Sequence, residues 1–315
     1  MLVTTRSFSS GSYDALGALA AAGCIVRRRA DHELDEISDE LAVASAWIPG
    51  TAAVTAEHLA RAPHLRIVAR YGTGTDAVDL HAAARRGIVV TNTPDASTGA
   101  VAELAVALIF AALRGLTSAD RRVRTGDWSV ERGRELGNCT VGIVGLGRIG
   151  RGVARRLAPF GCRLIGHDPW LSEQEARARG AEPVTLEALA AQADVVTLHT
   201  PGGSAIIGAD WIARSKPGQI LVNAARASLV DEHAVAEALR DGRLGRYASD
   251  TLSTESGGKS PLLDPALEPL TIFSPHAGAH TREAVDRMGR GAVEAVLTLL
   301  GGGTPGNVVN IPAVR

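Results

Sequence analysis

Six residues, Gly145-Leu146-Gly147-Arg148-Ile149-Gly150, have the spacing of a phosphate-binding turn. They directly follow the apolar run Thr140–Val144 and lead into helical spacing that continues to Phe160. In that context Gly145 allows a tight turn, Gly147 lets the backbone approach a pyrophosphate, and Gly150 lets a helix pack closely on its strand. The amides of Arg148 and Ile149 would then face phosphates from a helix N-terminus that carries partial positive charge. A second strand pattern, residues 163–168, ends in Asp168, 18 residues after Gly150. A carboxylate at that tip accepts hydrogen bonds from both ribose hydroxyls of an adenosine and repels a 2′-phosphate, which predicts NAD over NADP. With 35 glycines in the chain, a lone GxGxxG would say little. The alternative reading is an ordinary strand, turn and helix with a surface aspartate.

Oxidising an alcohol by hydride transfer needs a base at the hydroxyl, a cation that polarises the carbonyl and holds a carboxylate, and a group that tunes the base. Three positions qualify. Arg226 follows the strand pattern 220–223, at a carboxyl end where ligands collect in doubly wound sheets, and a guanidinium grips a carboxylate through two parallel bonds. His276 sits in Ser274-Pro-His-Ala-Gly-Ala-His280 after the apolar run 270–273, again at a strand end. Glu255 lies in a polar loop after Asp250. Read singly, Arg226 also suits a helix cap or a surface, His276 also suits a buried structural role, and Glu255 carries almost no signal.

The elements that must position these residues alternate between strand and helix. Strand patterns at 2–4, 24–26, 46–48, 66–69 and 88–91 are interleaved with helical ones at 13–22, 55–62 and 80–86. A second series starts at Val141 and has strands near 163–166, 195–199, 220–223 and 247–250. Repeats of this kind predict an α/β fold of two doubly wound parallel-sheet domains with right-handed crossovers. Long helical patterns at 98–116 and 281–300 lie at the junctions. They suggest a discontinuous first domain, 1–97 and 286–315, and a nucleotide domain, 98–285.

The 315 residues suffice for two such cores. Hydrophobic residues at 45% and charged residues at 21% are globular values. A net charge of −1 from 33 basic and 34 acidic residues gives no field that would gather nucleic acid or an anionic membrane. The arginine clusters at 27–29 and 121–124 read as solvated faces. The apolar run 104–113 is about half a bilayer span and reads as a buried helix. The start lacks a signal-peptide pattern, so export is not expected. Cys24, Cys139 and Cys162 are far apart without CxxC spacing, which suits a reduced cytoplasmic setting, and no metal site is expected.

Taken together, the motifs resemble those of the D-isomer-specific 2-hydroxyacid dehydrogenases, the group that contains D-3-phosphoglycerate dehydrogenase. The matching stretches are Arg70-Tyr-Gly-Thr-Gly-Thr-Asp76, residues 86–94, Val101-Ala-Glu103, residues 142–150, His199-Thr-Pro201, Asn223-Ala-Ala-Arg226 and Pro275-His-Ala-Gly278. The resemblance implies a Rossmann nucleotide domain and a flavodoxin-like substrate domain with a cleft between them. It implies that Arg226 binds the substrate carboxylate and carbonyl, that His276 is the acid/base, and that Glu255 hydrogen-bonds and tunes His276. Thr73 and Gly74 would offer backbone N–H groups to the substrate carboxylate, with Arg70 beside them. Thr93, Thr200, Ala224, Ala225, Asp250 and Gly278 look like further cofactor contacts, joined by Arg226 and His276. A homodimer through the nucleotide domain is implied, with residues 98–113 as the contributing helix. The same fold also resembles NAD-sensing C-terminal-binding corepressors and the phosphite and formate branch of the superfamily, so both stand as alternatives.

Several positions depart from the family pattern. Ser256 replaces a proline, Thr251 and Leu252 replace a valine and an aromatic, and Ala227 replaces a glycine, where a left-handed backbone would be strained. The 201–208 loop is about three residues shorter, on what reads as the adenine side. His280 reads as a cap for a helix beginning at Thr281, with substrate contact as the other reading. Trp47, Pro49, Arg70 and Tyr71 are read as pocket residues. The chain ends at Arg315, and feedback by serine through an added regulatory domain is not expected.

Overall fold

A computed structural model describes residues 1–30 and 32–310. The chain forms two compact units, Met1–Ala100 with the chain from Ala279 onward, and Val101–Gly278. The boundaries expected from the sequence were 97/98 and 285/286.

The first unit is built on five parallel strands: β1 (Leu2–Val3), β2 (Arg27–Arg28), β3 (Ala46–Ile48), β4 (Ile67–Ala69) and β5 (Val89–Thr91), in the order β2-β1-β3-β4-β5. Side chains alternate across a strand, so Leu2, Trp47 and Val68 enter one apolar layer while Val3, Ala46, Ile48, Ile67 and Ala69 enter the other. Helices α1 (Ala15–Ala21), α2 (Leu34–Val43), α3 (Ala56–Ala60) and α4 (Leu80–Arg85) follow successive strands. Ile37 and Leu41 of α2, Leu59 of α3 and Ala82 and Ala83 of α4 cover the first layer. The chain returns at its end because Val285, Met288, Ala292, Val293 and Val296 complete the second layer with Leu19 of α1. β2 forms at Arg27–Arg28 and not at the more apolar 24–26, since register is fixed by Arg27 N–H to Met1 O (2.9 Å) and Arg29 N–H to Val3 O (3.0 Å). Its exposed arginines occupy an edge, where charge discourages pairing with another sheet.

The second unit opens with α5 (Thr98–Arg114) and α6 (Leu116–Arg124), and the unit boundary falls inside α5. Its seven strands are β6 (Thr140–Val144), β7 (Arg163–His167), β8 (Glu182–Pro183), β9 (Val195–Leu198), β10 (Gln219–Asn223), β11 (Leu244–Ser249) and β12 (Thr271–Phe273). All neighbours are parallel, in the order β12-β11-β10-β9-β6-β7-β8. The helices between them are α7 (Arg148–Leu157), α8 (Glu173–Ala178), α9 (Leu186–Gln192), α10 (Ala209–Ala213) and α11 (Glu232–Arg240). Strands near-continuous in Val, Ile and Leu fit a sheet covered on both faces. Ala102, Ala105, Leu108 and Ile109 of α5 and Val153, Ala154 and Leu157 of α7 cover one face. Leu189 of α9, Trp211 and Ile212 of α10 and Val235 of α11 cover the other. The remaining long helix, α12 (Arg282–Leu300), is the one that closes the first unit.

The single helical pattern expected over 98–116 is interrupted at Gly115, whose left-handed backbone (φ 56°) bends the chain by 60° into α6. No single helix among the described residues is long and apolar enough to cross a membrane. The arginines of α6 are not simply solvated: Arg121 pairs with Glu268, Arg122 with Glu131 (3.7 Å) and Arg124 with Asp120 (2.8 Å).

Candidate active site

Every residue singled out for chemistry in the second unit lies just past the carboxyl end of a parallel strand or at the helix start that follows. The strand order reverses between β6 and β9, the topological switch where doubly wound sheets bind ligands. The glycine turn is at that switch. Gly145 has φ +88°, and a Cβ on it would lie 2.8 Å from the His199 carbonyl oxygen of the loop after β9. A Cβ on Gly150 would lie 1.9 Å from Gly145 O, so only glycine lets α7 start this close to its strand. A Cβ on Gly147, the N-cap of α7, would meet nothing within 4 Å. The turn is therefore open at the start of α7, the end of a helix that carries partial positive charge and suits phosphates.

Two further features suit a dinucleotide. The Thr200 hydroxyl is buried without a partner among the described residues, and its methyl would sit 2.9 Å from a Cβ on Gly145. Asp168 follows β7, where its Oδ2 accepts the Leu146 N–H (2.9 Å) and its Oδ1 the Trp170 N–H (3.1 Å). It thereby ties the glycine turn to the neighbouring strand and retains carboxylate lone pairs for ribose hydroxyls. The Nδ1 atom of His199 is buried, and desolvation pushes the pKa of the ring down to about 3, so it is neutral; Nε2 lies 2.9 Å from the Thr197 hydroxyl. An NAD molecule fits these residues: a turn left open at Gly147, the start of α7 next to it, and a buried Thr200 hydroxyl, unpartnered among the described residues, against Gly145.

On the other side of the switch, β10 delivers Ala224, Ala225 and Arg226. Asn223, fully buried, accepts the Ala225 N–H (3.0 Å) and donates to the Arg226 carbonyl (2.8 Å), which staples the turn. The half-buried Arg226 donates to Ala225 O at 2.8 Å. The strain expected at Ala227 does not arise, because the residue opens a right-handed 3-10 turn, Ala227–Leu229. The shortened 201–208 loop borders Arg226: a Cβ on Gly202 would lie 3.3 Å from Arg226 Cγ. Gly203 N–H donates to the Ser228 hydroxyl (3.4 Å), and the N–H groups of Ile206 and Ile207 both reach Leu229 O (2.8 and 3.0 Å).

Strands β11 and β12 bring Asp250, Glu255, His276 and Gly278 together. His276 Nδ1 lies 2.6 Å from Glu255 Oε2. A carboxylate at that nitrogen makes Nδ1 the donor and leaves Nε2 to exchange a proton with a ligand. The other oxygen of Glu255 accepts the Leu252 N–H (2.9 Å), so the carboxylate is held at both ends. Among the described residues His276 is one of two non-glycines with positive φ, at 51°, a backbone that costs about 1–3 kcal/mol. Asp250 maintains it. Its Oδ1 accepts Ser274 Oγ–H (2.5 Å) and Ala277 N–H (2.8 Å), its Oδ2 accepts Gly278 N–H (2.8 Å), and its carbonyl accepts His276 N–H (3.0 Å). A Cβ on Gly278 would stand 3.0 Å from Asp250 Oδ2. Nothing in the sequence signals either the left-handed histidine or the carboxylate that holds it, since both depend on contacts across the strand ends.

In the first unit, Thr73 Oγ1 lies 3.2 Å from the Ser97 hydroxyl, Thr73 O accepts the Asn92 amide (2.7 Å), and Gly74 is partly exposed beside it. Thr93 Oγ1 is buried without a partner among the described residues. Arg70 is buried and bonds to Tyr71 O. Trp47 and Tyr71 are core residues and not pocket walls. Trp47 is fully buried with its indole N–H on Thr4 (3.0 Å), while Tyr71 spends its hydroxyl on Val285 O (3.0 Å) and Pro49 is buried against it. His280 is exposed and caps nothing; Thr281 caps α12, its hydroxyl accepting the Ala284 N–H (3.2 Å).

Comparison with known proteins gives the same answer as the strand ends. Residues 106–278 match the family described as D-isomer specific 2-hydroxyacid dehydrogenase, NAD binding domain. The D-3-phosphoglycerate dehydrogenase of Mycobacterium bovis is 42% identical over 263 residues, 82% of this chain and 49% of that protein. The chain thus spans about half the length of the phosphoglycerate dehydrogenases it matches. The glyoxylate reductase of Korarchaeum cryptofilum is 38% identical over 272 residues, covering 83% of this chain and 81% of that one. Among solved structures, the TT0316 protein from Thermus thermophilus superposes with a TM-score of 0.88 at 35% identity, covering 98% and 99% of the two chains. With a seven-stranded nucleotide sheet, an NAD-shaped turn and these relatives, the chain belongs to the D-isomer specific 2-hydroxyacid dehydrogenase family and carries its NAD-binding domain.

Proposed function

We propose that the protein transfers a hydride between NAD and the α-carbon of a D-2-hydroxy acid or its 2-keto acid. The observation that carries this reading is the His276–Glu255 couple at 2.6 Å, held at the carboxyl edge of an NAD-binding sheet. His276 Nε2 takes the hydroxyl proton during oxidation and returns it during reduction. Glu255 keeps the proton on Nδ1 and faces the ring when it becomes an imidazolium. Arg226 pairs with the substrate carboxylate and opposes the charge that grows on the carbonyl oxygen. NAD, when bound, supplies the hydride acceptor. Gly145, Gly147, Arg148, Ile149, Gly150, Asp168 and Thr200 would hold it, with Thr93, Ala224, Ala225, Asp250 and Gly278 as further contacts. Arg70 and the N–H groups of Thr73 and Gly74 are proposed contacts of the substrate carboxylate.

A homodimer through the nucleotide domain is part of the same reading. Its support is a run of exposed apolar side chains just after α5: Leu116 (54% exposed), Val123 (44%), Trp128 (77%) and Val130 (94%). A cytoplasmic setting is supported by three cysteines, Cys24, Cys139 and Cys162, that remain free thiols. The mechanism is tested with a D-2-hydroxy acid deuterated at C2. Deuterium is expected in the nicotinamide ring of the product; its appearance in solvent water instead would refute direct hydride transfer.

A further inference from the structure

Glu232 is the first residue of α11, and its side chain is only 9% exposed. The preceding Asp231 already caps this helix by accepting the N–H groups of His233 (3.0 Å) and Ala234 (3.1 Å). The Glu232 carboxylate points elsewhere. Its Oε1 accepts the Ser253 N–H at 2.8 Å, and its Oε2 accepts the Ser253 Oγ–H at 2.7 Å. A buried carboxylate must be matched by donors, and two bonds to one residue fix that residue's orientation as well as its place. Ser253 opens the 3-10 turn Ser253–Ser256, which carries Glu255 two residues later. Glu255 in turn spans from Leu252 N–H to His276 Nδ1. Hydrogen bonds on either side of the short backbone segment 252–255 therefore link the start of α11 to the ring of His276.

We infer that Glu232 is a positioning residue for the Glu255–His276 couple, clamping the turn that aims Glu255 at Nδ1. This rests on the reading of His276 as the acid/base, so the test has one readout that needs turnover and one that does not. Glu232→Gln keeps the size of the side chain but sets an amide N–H₂ against a donor of Ser253. Ser253→Ala removes one bond at the far end, and Ser253→Thr keeps the hydroxyl. Because misplacement of a reacting group by about 1 Å can cost up to about 100-fold, E232Q and S253A are expected to lower kcat about tenfold with KM for NADH unchanged. S253T should stay within about twofold of wild type. In an E255Q background E232Q should add less than about twofold, since the arm it clamps no longer ends in a carboxylate.

The second readout is ¹⁵N NMR of histidine-labelled protein, with the His276 signals assigned by their loss in H276N. Wild type should show a proton held on Nδ1, and E232Q and S253A should show exchange between the two tautomers. Unchanged kcat and an unchanged Nδ1 proton in both variants would overturn the inference. Equal losses in the wild-type and E255Q backgrounds would overturn it too, by making Glu232 a support of the fold alone. Should E232Q fail to fold, S253A against S253T decides. A wild type that reduces no 2-keto acid removes the reading of the reaction, and the NMR comparison still decides the role of Glu232.

Discussion

The charge and backbone of a single residue, His276, join most of the chemistry in this molecule. Its φ of 51° is a conformation that histidine tolerates better than most side chains but still at a cost, and four hydrogen bonds accepted by Asp250 around it maintain it. His276→Gln is therefore expected to lower kcat by about 10²–10⁴-fold, the range for loss of a general base, with little change in NADH affinity. Glu255→Gln should cost less than His276→Gln, because it only unsets the tautomer; steady-state kinetics of the two variants check the order. At this scale the sequence was readable in part. Arg226 and His276 could be picked out because they follow strand patterns. Glu255 could not be picked out from its own surroundings, since its meaning comes from Nδ1 of a residue 21 positions away. His280 was misread because the stronger capping side chain, Thr281, stands next to it.

At the scale of elements, the periodic strands were legible where both faces of the sheet are covered, as in β6, β9 and β10. Boundaries failed where tertiary bonding outweighs local composition. β2 forms on two exposed arginines, and α6 is a separate helix because Gly115 turns left-handed. The tie of the short 201–208 loop to Leu229 is likewise invisible in the sequence. The closeness of α7 to β6 gives a direct test. Gly150→Ala would put a methyl 1.9 Å from the backbone oxygen of Gly145, so a loss of about 1–3 kcal/mol is expected with weaker NADH binding, measured by thermal unfolding and fluorescence titration. Near-normal stability and binding would show that the turn can relax.

The loop after β9 gives a pH test. His199, whose pKa burial pushes down to about 3, binds no proton in the native state until strong acid, while the unfolded chain binds one near the ordinary value of 6.5. The unfolded state thus holds more protons between these values, and stability attributable to this residue is lost as pH falls through that window, at up to about 1.4 kcal/mol per pH unit. His199→Asn should flatten the dependence of the unfolding free energy on pH from about 6 to 4. An identical slope in the variant would mean that other groups carry it.

For the molecule as a whole, two doubly wound sheets were foreseeable from alternating periodicity, and their strand orders, 2-1-3-4-5 and the longer seven-stranded series, follow the two common doubly wound patterns. The return of the C-terminal helix to the first unit was signalled only by its position after the second series, and its cause is the uncovered layer of the first sheet. The exposed apolar run after α5 carries a prediction at this scale. By sedimentation the protein should have twice the 32.7 kDa chain mass, and Trp128→Glu should shift it toward one chain; a wild type that sediments as one chain contradicts the proposed dimer. The most direct test of the whole account is NADH oxidation with a panel of glyoxylate, hydroxypyruvate, pyruvate, 2-oxoglutarate and phosphohydroxypyruvate, repeated with NADPH. Turnover of at least one keto acid, faster with NADH because Asp168 repels a 2′-phosphate, is the predicted result. Tight NADH binding with no turnover of any of them would contradict it.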